Sequence, residues 1–579
     1  MVPRKRDNLE YPGDLIPSLT AYAVSMSLSI WMDNVDYEKD DIVTRYCSEG
    51  TRTTVMMLFT AHKATERCRD FIIITIEAKA TKKGLAGNVK IIDLCLDSKS
   101  SATQPIAIAK VSSSISAVIL QEDLFPIAKQ YWQFRRQDLK STSRVLDGFC
   151  AHRTGIADVG TVAADSELRR RPRGYQRDSA IDRRRTSPEA EKNHKAATES
   201  WEETQFLEER FGPNLDLSFV DNARIAIRRR LAGYLVDEMD PTSTAAVEKS
   251  SSQTNSRGVT GLSDDDVYLY PCGMDAIFNT HWLLLAVRGQ RKSISFGFPH
   301  ADTLKVLQKF GPGCLLYGHG SSDELNDLEA RLRAGERHLA LFCEFPGNPM
   351  LKSSDLRRMR QLPHKYDFAV VVDETIGNSV NVQLLARADV VVNSLTKIFS
   401  GDCNVMGGSA ILKYESRYYW PLKRAFEADF EDDNYWVEDV LFMERNSRDV
   451  VARIRIINDN AEAICQVLQA HPLVKDVCHP KYIPTKRFYD ECRTPRAEEH
   501  TVASFDRIET AKGPSLGTKF TLTSPYVLLA YYRELEWAAG FGVPADLLRV
   551  SVGVEIVEDL KARFAFALEA AEAIGSGTV

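Results

Sequence analysis

Between residue 267 and about residue 412, short apolar runs alternate with segments that have helical spacing. Four of the runs are rich in β-formers and continuously apolar: SISFGF (293–298), HLALFCEF (338–345), FAVVVDE (368–374) and ADVVVNS (388–394). Segments such as SSDELNDLEARLRAG and KSSDLRRMRQL lie between them. Strands that are apolar on both faces and alternate with helices are typical of a mostly parallel sheet covered on both sides. The pattern therefore predicts an α/β fold.

The pattern of hydrophobic and polar residues is different in the part of the chain that precedes residue 267. In the first 150 residues, apolar runs such as FIIITIEA (71–78) and SAVILQED (116–123) alternate with polar segments, which indicates a small α/β unit. Residues 163–200 are charged and poor in aliphatic side chains, as in a disordered linker. The stretch LSFVDNARIAIRRRLAGYL has helical spacing, and DPTSTAAVEKSSSQTNSRGVTG (240–261) has the composition of a flexible loop.

After residue 412 the pattern predicts one long helix over 445–471, a strand in DLLRVSVGVE (546–555) and a closing helix in VEDLKARFAFALEAAEAI. We expect five parts. These are an α/β extension (1–162), a linker (163–200), a helical arm and loop (201–262), a large domain with the strand–helix alternation (263–415) and a smaller C-terminal domain (416–579).

Composition narrows the possible functions of the chain. Its 579 residues correspond to about three or four domain-sized units. It has 74 basic and 80 acidic residues, and this net charge of −6 argues against a nucleic-acid partner. No apolar run approaches the ~18 residues that span a bilayer, and MVPRKRDNLEYPGD lacks the apolar core of a secretory signal. The 11 cysteines form no CxxC pair, so we expect reduced thiols in a cytoplasmic protein, no metal site and no membrane contact.

Polar residues collect where the predicted strands end: Gly273, Met274, Asn348, Asp373, Ser394, Thr396 and Lys397. Taken singly, each has an ordinary structural interpretation, such as a tight turn, a helix cap or a solvated charge. Because each of them follows a strand of the same predicted sheet, we expect them to gather at one edge of that sheet. Ligands of such sheets bind at this edge, beyond the carboxyl ends of the strands.

The chemistry that suits this set is that of pyridoxal phosphate. Backbone N–H groups at a helix start, at Gly273 and Met274, can hold its phosphate with the hydroxyls of Ser394 and Thr396. A buried carboxylate such as Asp373 keeps its ring nitrogen protonated. The amine of Lys397 can bind its aldehyde and move protons near neutral pH.

An ordered set of motifs resembles a known family. VVDET is followed, 24 residues after its aspartate, by the lysine of SLTKIFSGD. YPCGMDAI, EFPGNP, KGPSLGT and LLRVSVG occur in the order found in the Cys/Met-metabolism group of pyridoxal-phosphate enzymes. GDLIPSLTAYAVSMSLSIWMDNVDYE and EDLFPIAKQYWQ are similar to the fungal cystathionine γ-synthase branch. The resemblance implies a fold-type-I transferase fold, like that of aspartate aminotransferase, with a smaller C-terminal α/β domain and an N-terminal extension.

The resemblance also implies roles for individual residues. Lys397 takes the place of the cofactor-binding lysine and proton shuttle, Asp373 faces the ring nitrogen, and Asn348 faces the ring phenol. The other cofactor contacts implied are Gly273, Met274, Ser394, Thr396 at the phosphate, Thr375 near the ring, and Phe296 in place of a ring-stacking tyrosine. Arg549 resembles the arginine that binds the substrate α-carboxylate, and Ser515 resembles a substrate-site serine.

Arg210, in EERFGPN, resembles an arginine that reaches the cofactor phosphate of a neighbouring subunit, so the resemblance implies a homodimer or homotetramer. The tyrosine that usually precedes this arginine is missing. Cys403 also departs from the family pattern, in which a small hydroxyl residue is common.

The implied reaction is γ-replacement on an O-acyl-L-homoserine, with cysteine as the nucleophile, as in methionine-type metabolism. Three alternatives remain open at this point. They are carbon–carbon bond formation in a fungal secondary pathway, a γ- or β-lyase reaction, and a non-catalytic homologue without cofactor.

Overall fold

The computed structural model describes residues 54–59, 62–78, 89–95, 114–135, 219–234, 255–430, 435–494, 510–513 and 515–575. The predicted linker at 163–200, Arg210, and most of the predicted loop at 240–261 lie outside the described residues.

The N-terminal unit consists of β1 (Thr54–Phe59), α1 (His62–Ala78), β2 (Lys90–Cys95), β3 (Ser114–Gln121) and α2 (Phe125–Arg135). Strand β3 lies between β1 and β2 and is antiparallel to both. The apolar run at 71–78 forms the second half of α1, where Ile72 and Ile76 are buried. The small α/β unit expected from the sequence is thus present.

The central part of the chain begins with α3 (Val220–Leu231) and continues as alternating strands and helices. In chain order they are β4 (Val267–Tyr270), α4 (Gly273–Arg288), β5 (Ser293–Phe296), α5 (Ala301–Lys309), β6 (Cys314–Tyr317), α6 (Ser322–Arg333), β7 (Ala340–Glu344), α7 (Leu356–Tyr366), β8 (Ala369–Asp373), α8 (Asn378–Asn381), β9 (Val390–Ser394) and β10 (Gly408–Leu412).

These strands form one seven-stranded sheet in the order β4-β10-β9-β8-β7-β5-β6. The five strands from β9 to β6 run parallel, and β10 is antiparallel to both of its neighbours. Both faces are covered: Val370 and Val372 pack into one core cluster and Val371 into another. Burying such a valine contributes roughly 1.5–3 kcal/mol. The mostly parallel α/β sheet predicted from the sequence is confirmed.

The C-terminal part contains α9 (Tyr419–Asp429), α10 (Val437–Asn446), α11 (Val450–Gln469), α12 (Lys486–Asp490), β11 (Ala511–Lys512), β12 (Leu522–Ser524), α13 (Tyr526–Ala530), α14 (Leu535–Gly540), β13 (Arg549–Ser551) and α15 (Val557–Gly575). Strands β11, β12 and β13 form a small mixed sheet in chain order. The helix predicted over 445–471 is divided by a turn at 447–449. In this turn the Ser447 hydroxyl accepts a hydrogen bond from Arg230 of α3 at 2.7 Å.

Helices α9 and α10 pack on the large sheet, through Phe426 on one face and Met443 on the other. The second half of α11 packs instead on α15 and the small sheet, where Leu468, Val550 and Phe564 share a cluster. The predicted domain boundary near residue 415 stays a prediction. Within the described ranges, no helix is both long enough and apolar enough to cross a membrane.

Candidate active site

Lys397 lies in the turn that follows β9, at the carboxyl edge of the large sheet. Its N–H donates to the carbonyl of Ser394 at 3.2 Å, and its own carbonyl accepts from Gly401 at 2.9 Å. Both bonds fix the backbone on either side of the amine. The Nζ atom donates to Ser515 Oγ at 3.3 Å. A residue from the C-terminal part of the chain therefore meets the lysine directly.

The loop that carries Ser515 presses closely on the lysine turn. Gly517 has φ +72°, and a Cβ atom there would lie 2.3 Å from the backbone nitrogen of Ile398. Only glycine accommodates both this backbone conformation and this contact. The close approach explains how the Ser515 hydroxyl reaches the end of the Lys397 side chain.

Arg549 begins β13 and is buried, with 6% of its surface exposed. Its guanidinium donates to Asn348 Oδ1 at 3.3 Å and to the carbonyl of Ser515 at 2.8 Å. The guanidinium carbon lies 3.8 Å from the ring centroid of Tyr526, which is a cation–π distance. These contacts hold a planar cation, suited to a carboxylate, directly against Ser515, the residue that Lys397 also contacts.

Asp373 ends β8 and is largely buried. Its Oδ1 accepts from the N–H of Thr375 at 2.8 Å, and the hydroxyl of Thr375 accepts from the N–H of Ser394 at 2.8 Å. Ser394 in turn touches the start of α4, since a Cβ atom on Gly273 would lie 2.7 Å from Ser394 Cβ. The predicted carboxylate, hydroxyl and helix start therefore form one continuous group.

Burial raises the pKa of Asp373 to about 6, although the hydrogen bond from Thr375 acts in the opposite direction. Within the described part of the chain, no lysine or arginine forms a salt bridge with Asp373. A buried carboxylate of this kind is suited to a cationic ligand atom such as a protonated ring nitrogen.

Glu344, at the end of β7, is a site residue that the sequence reasoning missed. It is paired in register with Asp373 on the neighbouring strand. Burial, followed by the charge of Asp373, raises the pKa of Glu344 to about 8. The signal was present in the sequence, because an acidic residue ends the apolar run ALFCE just as Asp373 ends AVVVD.

A small cavity is lined by both carboxylates. Its lining is mostly apolar and includes Phe296 and Ile277, together with the hydroxyl residue Thr303. The hydroxyl oxygen of Thr303 is buried and has no hydrogen-bond partner among the described residues. An apolar wall with a few polar groups, beside the Asp373 carboxylate, has the chemical character that the pyridine ring of pyridoxal phosphate requires.

The phosphate side of the predicted site is formed by the first turn of α4. The cap residue Cys272 makes no side-chain capping bond, so the first N–H groups at Gly273 and Met274 can meet an anion. The hydroxyl of Thr396 exchanges hydrogen bonds with the backbone of Gly407, at 3.1 and 3.3 Å. The Thr396 hydroxyl therefore bonds with the backbone of the protein itself, and its contact with the phosphate stays a prediction.

Cys403, which departs from the family pattern, lies on the other side of Ser515. Its Sγ atom is 4.0 Å from Ser515 Oγ, and burial raises the pKa of the thiol. The described residues contain no group of three or more His, Cys, Asp and Glu side chains arranged to hold a metal.

Two protein-family models match the chain. The model for the Cys/Met metabolism PLP-dependent enzymes matches residues 263–569, and the model for the N-terminal domain of fungal trans-sulfuration enzymes matches residues 39–135.

Several proteins are similar over nearly the whole chain. Cystathionine gamma-synthase of Neurospora crassa is 45% identical over 97% of this chain and 98% of its own length. A cystathionine gamma-synthase-like enzyme of Amanita muscaria, iboG2, is 36% identical over 96% of each chain.

A crystal structure of cystathionine gamma synthase from Xanthomonas oryzae pv. oryzae, in complex with aminoacrylate and cysteine, is 20% identical to this chain. It covers 61% of this chain and 98% of its own, with a TM-score of 0.47.

Proposed function

This chain belongs to the Cys/Met-metabolism family of pyridoxal-phosphate-dependent enzymes, and from that premise we propose that it catalyses γ-replacement on an O-acyl-L-homoserine. The family, its fold and its cofactor are as predicted from the motifs. The observation that supports the reaction best is the meeting of Lys397 with Ser515 and of Ser515 with Arg549. A proton-transfer amine and a carboxylate-binding guanidinium then lie at opposite sides of one residue.

Pyridoxal phosphate, when bound, withdraws electrons from the Cα atom of an amino acid and so makes its proton acidic. The chain's residues would handle the proton and the substrate. Lys397 Nζ takes the Cα proton, and the Ser515 hydroxyl orients that amine by accepting its hydrogen bond. Arg549 binds the α-carboxylate through its two guanidinium nitrogens.

Asp373 would hold a proton at the ring nitrogen, because its buried carboxylate is stabilised by a cation at that position. Gly273, Met274 and Ser394 would hold the phosphate. In the whole reaction the bond between Cγ and the acyl oxygen breaks and the acyl group leaves as a carboxylate. A bond between Cγ and the cysteine sulfur forms, and the thiol proton is released.

We further propose that the protein is a cytoplasmic homodimer or homotetramer and serves methionine biosynthesis. The proposal rests on the relatives named cystathionine gamma-synthase and on Arg210, which lies outside the described residues. Gel filtration with light scattering tests the assembly, and Arg210→Ala tests whether cofactor retention depends on it.

The reaction is tested with the purified full chain, O-acetyl- and O-succinyl-homoserine, and a panel of nucleophiles that contains cysteine, sulfide and a carbon acid. Mass spectrometry identifies the products. We expect cystathionine with cysteine and no turnover by Lys397→Ala. A product with a new carbon–carbon bond, formed faster than cystathionine, would replace the proposal with the secondary-pathway alternative. Release of ammonia and a keto acid without a nucleophile would indicate a lyase.

A further inference from the structure

Glu344 and Asp373 occupy equivalent positions at the ends of two neighbouring parallel strands. Because they are paired in register, their side chains leave the same face of the sheet. Both line the same small cavity. Two carboxylates at one buried site cannot both ionise without a large electrostatic cost, so one of them tends to keep its proton.

Glu344 also holds two loops of the site by their backbones. Its Oε1 accepts from the N–H of His300 at 2.5 Å, and its Oε2 accepts from the N–H of Asn348 at 3.3 Å. Asn348 then presents its side-chain oxygen to Arg549 at 3.3 Å. The carboxyl group of Glu344 therefore fixes the residue that connects the ring site to the substrate-binding arginine.

We propose that Glu344 is a positioning residue of the cofactor site, which keeps a proton at neutral pH so that the pair's single negative charge stays on Asp373. The inference rests on the proposed function, because the charge on Asp373 serves the same ring nitrogen. Glu344 does not touch the substrate in this proposal, and it acts through Asp373 and Asn348.

The surroundings of Glu344 favour the neutral form. Burial and the Asp373 charge raise its pKa, and they outweigh the two backbone hydrogen bonds from His300 and Asn348, which lower it. Among the described residues, the titratable groups that interact electrostatically with Glu344 are Asp373 on β8, Cys343 on β7, and Tyr526 and Tyr531 around α13. Each of these groups is anionic when ionised, and His300 contacts Glu344 through its backbone N–H. Within the described ranges, no lysine or arginine forms a salt bridge with Glu344.

The test compares Glu344→Gln, Glu344→Ala and the exposed control Glu336→Gln in the full chain. Glutamine is uncharged, like a protonated carboxyl group, and its single acceptor oxygen can keep the shorter of the two bonds, from the N–H of His300. We expect Glu344→Gln to bind pyridoxal phosphate within about threefold of the unaltered protein at pH 7, and Glu344→Ala to bind at least about tenfold more weakly. The absorption band of the bound cofactor should change between pH 7 and 9 in the unaltered protein and in Glu336→Gln, and this change should be absent from Glu344→Gln.

Two outcomes would overturn the inference. One is a Glu344→Gln variant whose cofactor affinity at pH 7 falls as far as that of Glu344→Ala, since the charge would then be needed. The other is an unchanged pH dependence of the band in Glu344→Gln. Absence of any cofactor band from the unaltered protein is a different result, because it contradicts the proposed function itself.

Discussion

The guanidinium of Arg257 is paired with the carboxylate of Glu374 in the interior of the protein. Nη2 lies 3.0 Å from Oε2, Nη1 donates to Oε1 at 3.1 Å, and the two side chains are 2% and 0% exposed. Glu374 directly follows Asp373, and successive residues of an extended strand point to opposite faces. The pair therefore anchors the end of β8 from the face opposite the cofactor site.

Removing one partner of this pair should be strongly destabilising. Arg257→Ala leaves the Glu374 carboxylate buried without its cation, which costs about 3–5 kcal/mol of unfolding free energy. Urea unfolding followed by circular dichroism measures the change. Arg357→Ala is the matched control, because Arg357 is 69% exposed and pairs with Glu491 at the surface. That control should stay within about 0.5 kcal/mol of the unaltered protein. Equal losses for both variants would contradict the role of the buried pair.

For substrate binding, the planar guanidinium geometry of Arg549 should matter more than its charge. Arg549→Lys keeps a cation but cannot contact a substrate carboxylate, Asn348 and the Ser515 carbonyl together. We expect kcat/KM for the amino-acid substrate to fall about 10–100-fold, mainly through KM. Steady-state kinetics measures this loss, with the exposed Arg533→Lys as control. An unchanged KM combined with a lower kcat would show that Arg549 does not bind the carboxylate.

The sequence predicted the parallel sheet because its strands are apolar on both faces, as Val370 and Val371 illustrate. Strand β6 was harder to recognise, since three of its four residues are only half-buried and its apolar run is short. Lys397 and Asp373 could be identified by their places at strand ends. The contact of Lys397 with Ser515 spans 118 positions, and only the folded chain shows it.

The resemblance to a family identified site residues that the local sequence pattern does not mark. Arg549 and Ser515 were assigned by their motifs, because a short strand and a loop give no chemical signal of their own. Glu344 was missed although it ends a buried strand. Its importance lies in its register with Asp373, and strand register between β7 and β8 is a property of the folded sheet.

Arg67 joins the N-terminal unit to the catalytic part. From α1 it donates to Asn279 Oδ1 of α4 at 2.9 Å and forms a salt bridge with Asp429, and its guanidinium lies 5.2 Å from the Trp282 ring centroid. The core of the unit also includes Phe278 of α4 and Phe310. The N-terminal unit therefore packs on the helix whose first turn forms the proposed phosphate site.

Arg67→Ala should weaken this docking by on the order of 1–3 kcal/mol, because it removes charge-assisted bonds that are mostly shielded from water. Hydrogen exchange of α1 measures the effect as faster exchange. Arg69→Ala is the control on the same helix, since Arg69 pairs with its neighbour Asp70. Protection of α1 that is equal in both variants would mean that apolar packing alone holds the unit in place.

The contribution of Asp373 and Glu344 to the stability of the cofactor-free protein should fall as the pH rises from about 4 to about 8. Burial raises the pKa of Asp373 to about 6 and that of Glu344 to about 8, from ordinary values of 3.8 and 4.5. In this window the folded protein holds protons that the unfolded chain has released, so the slope of unfolding free energy against pH is negative for these two groups.

Glu344→Gln removes the contribution of Glu344 to this slope, and the difference between the variant and the unaltered protein isolates that contribution from other titrations. We expect the variant to gain on the order of 1–3 kcal/mol relative to the unaltered protein between pH 5 and 8. Urea unfolding at both pH values measures the gain, and a relative loss at pH 8 would mean that Glu344 is ionised in the folded protein.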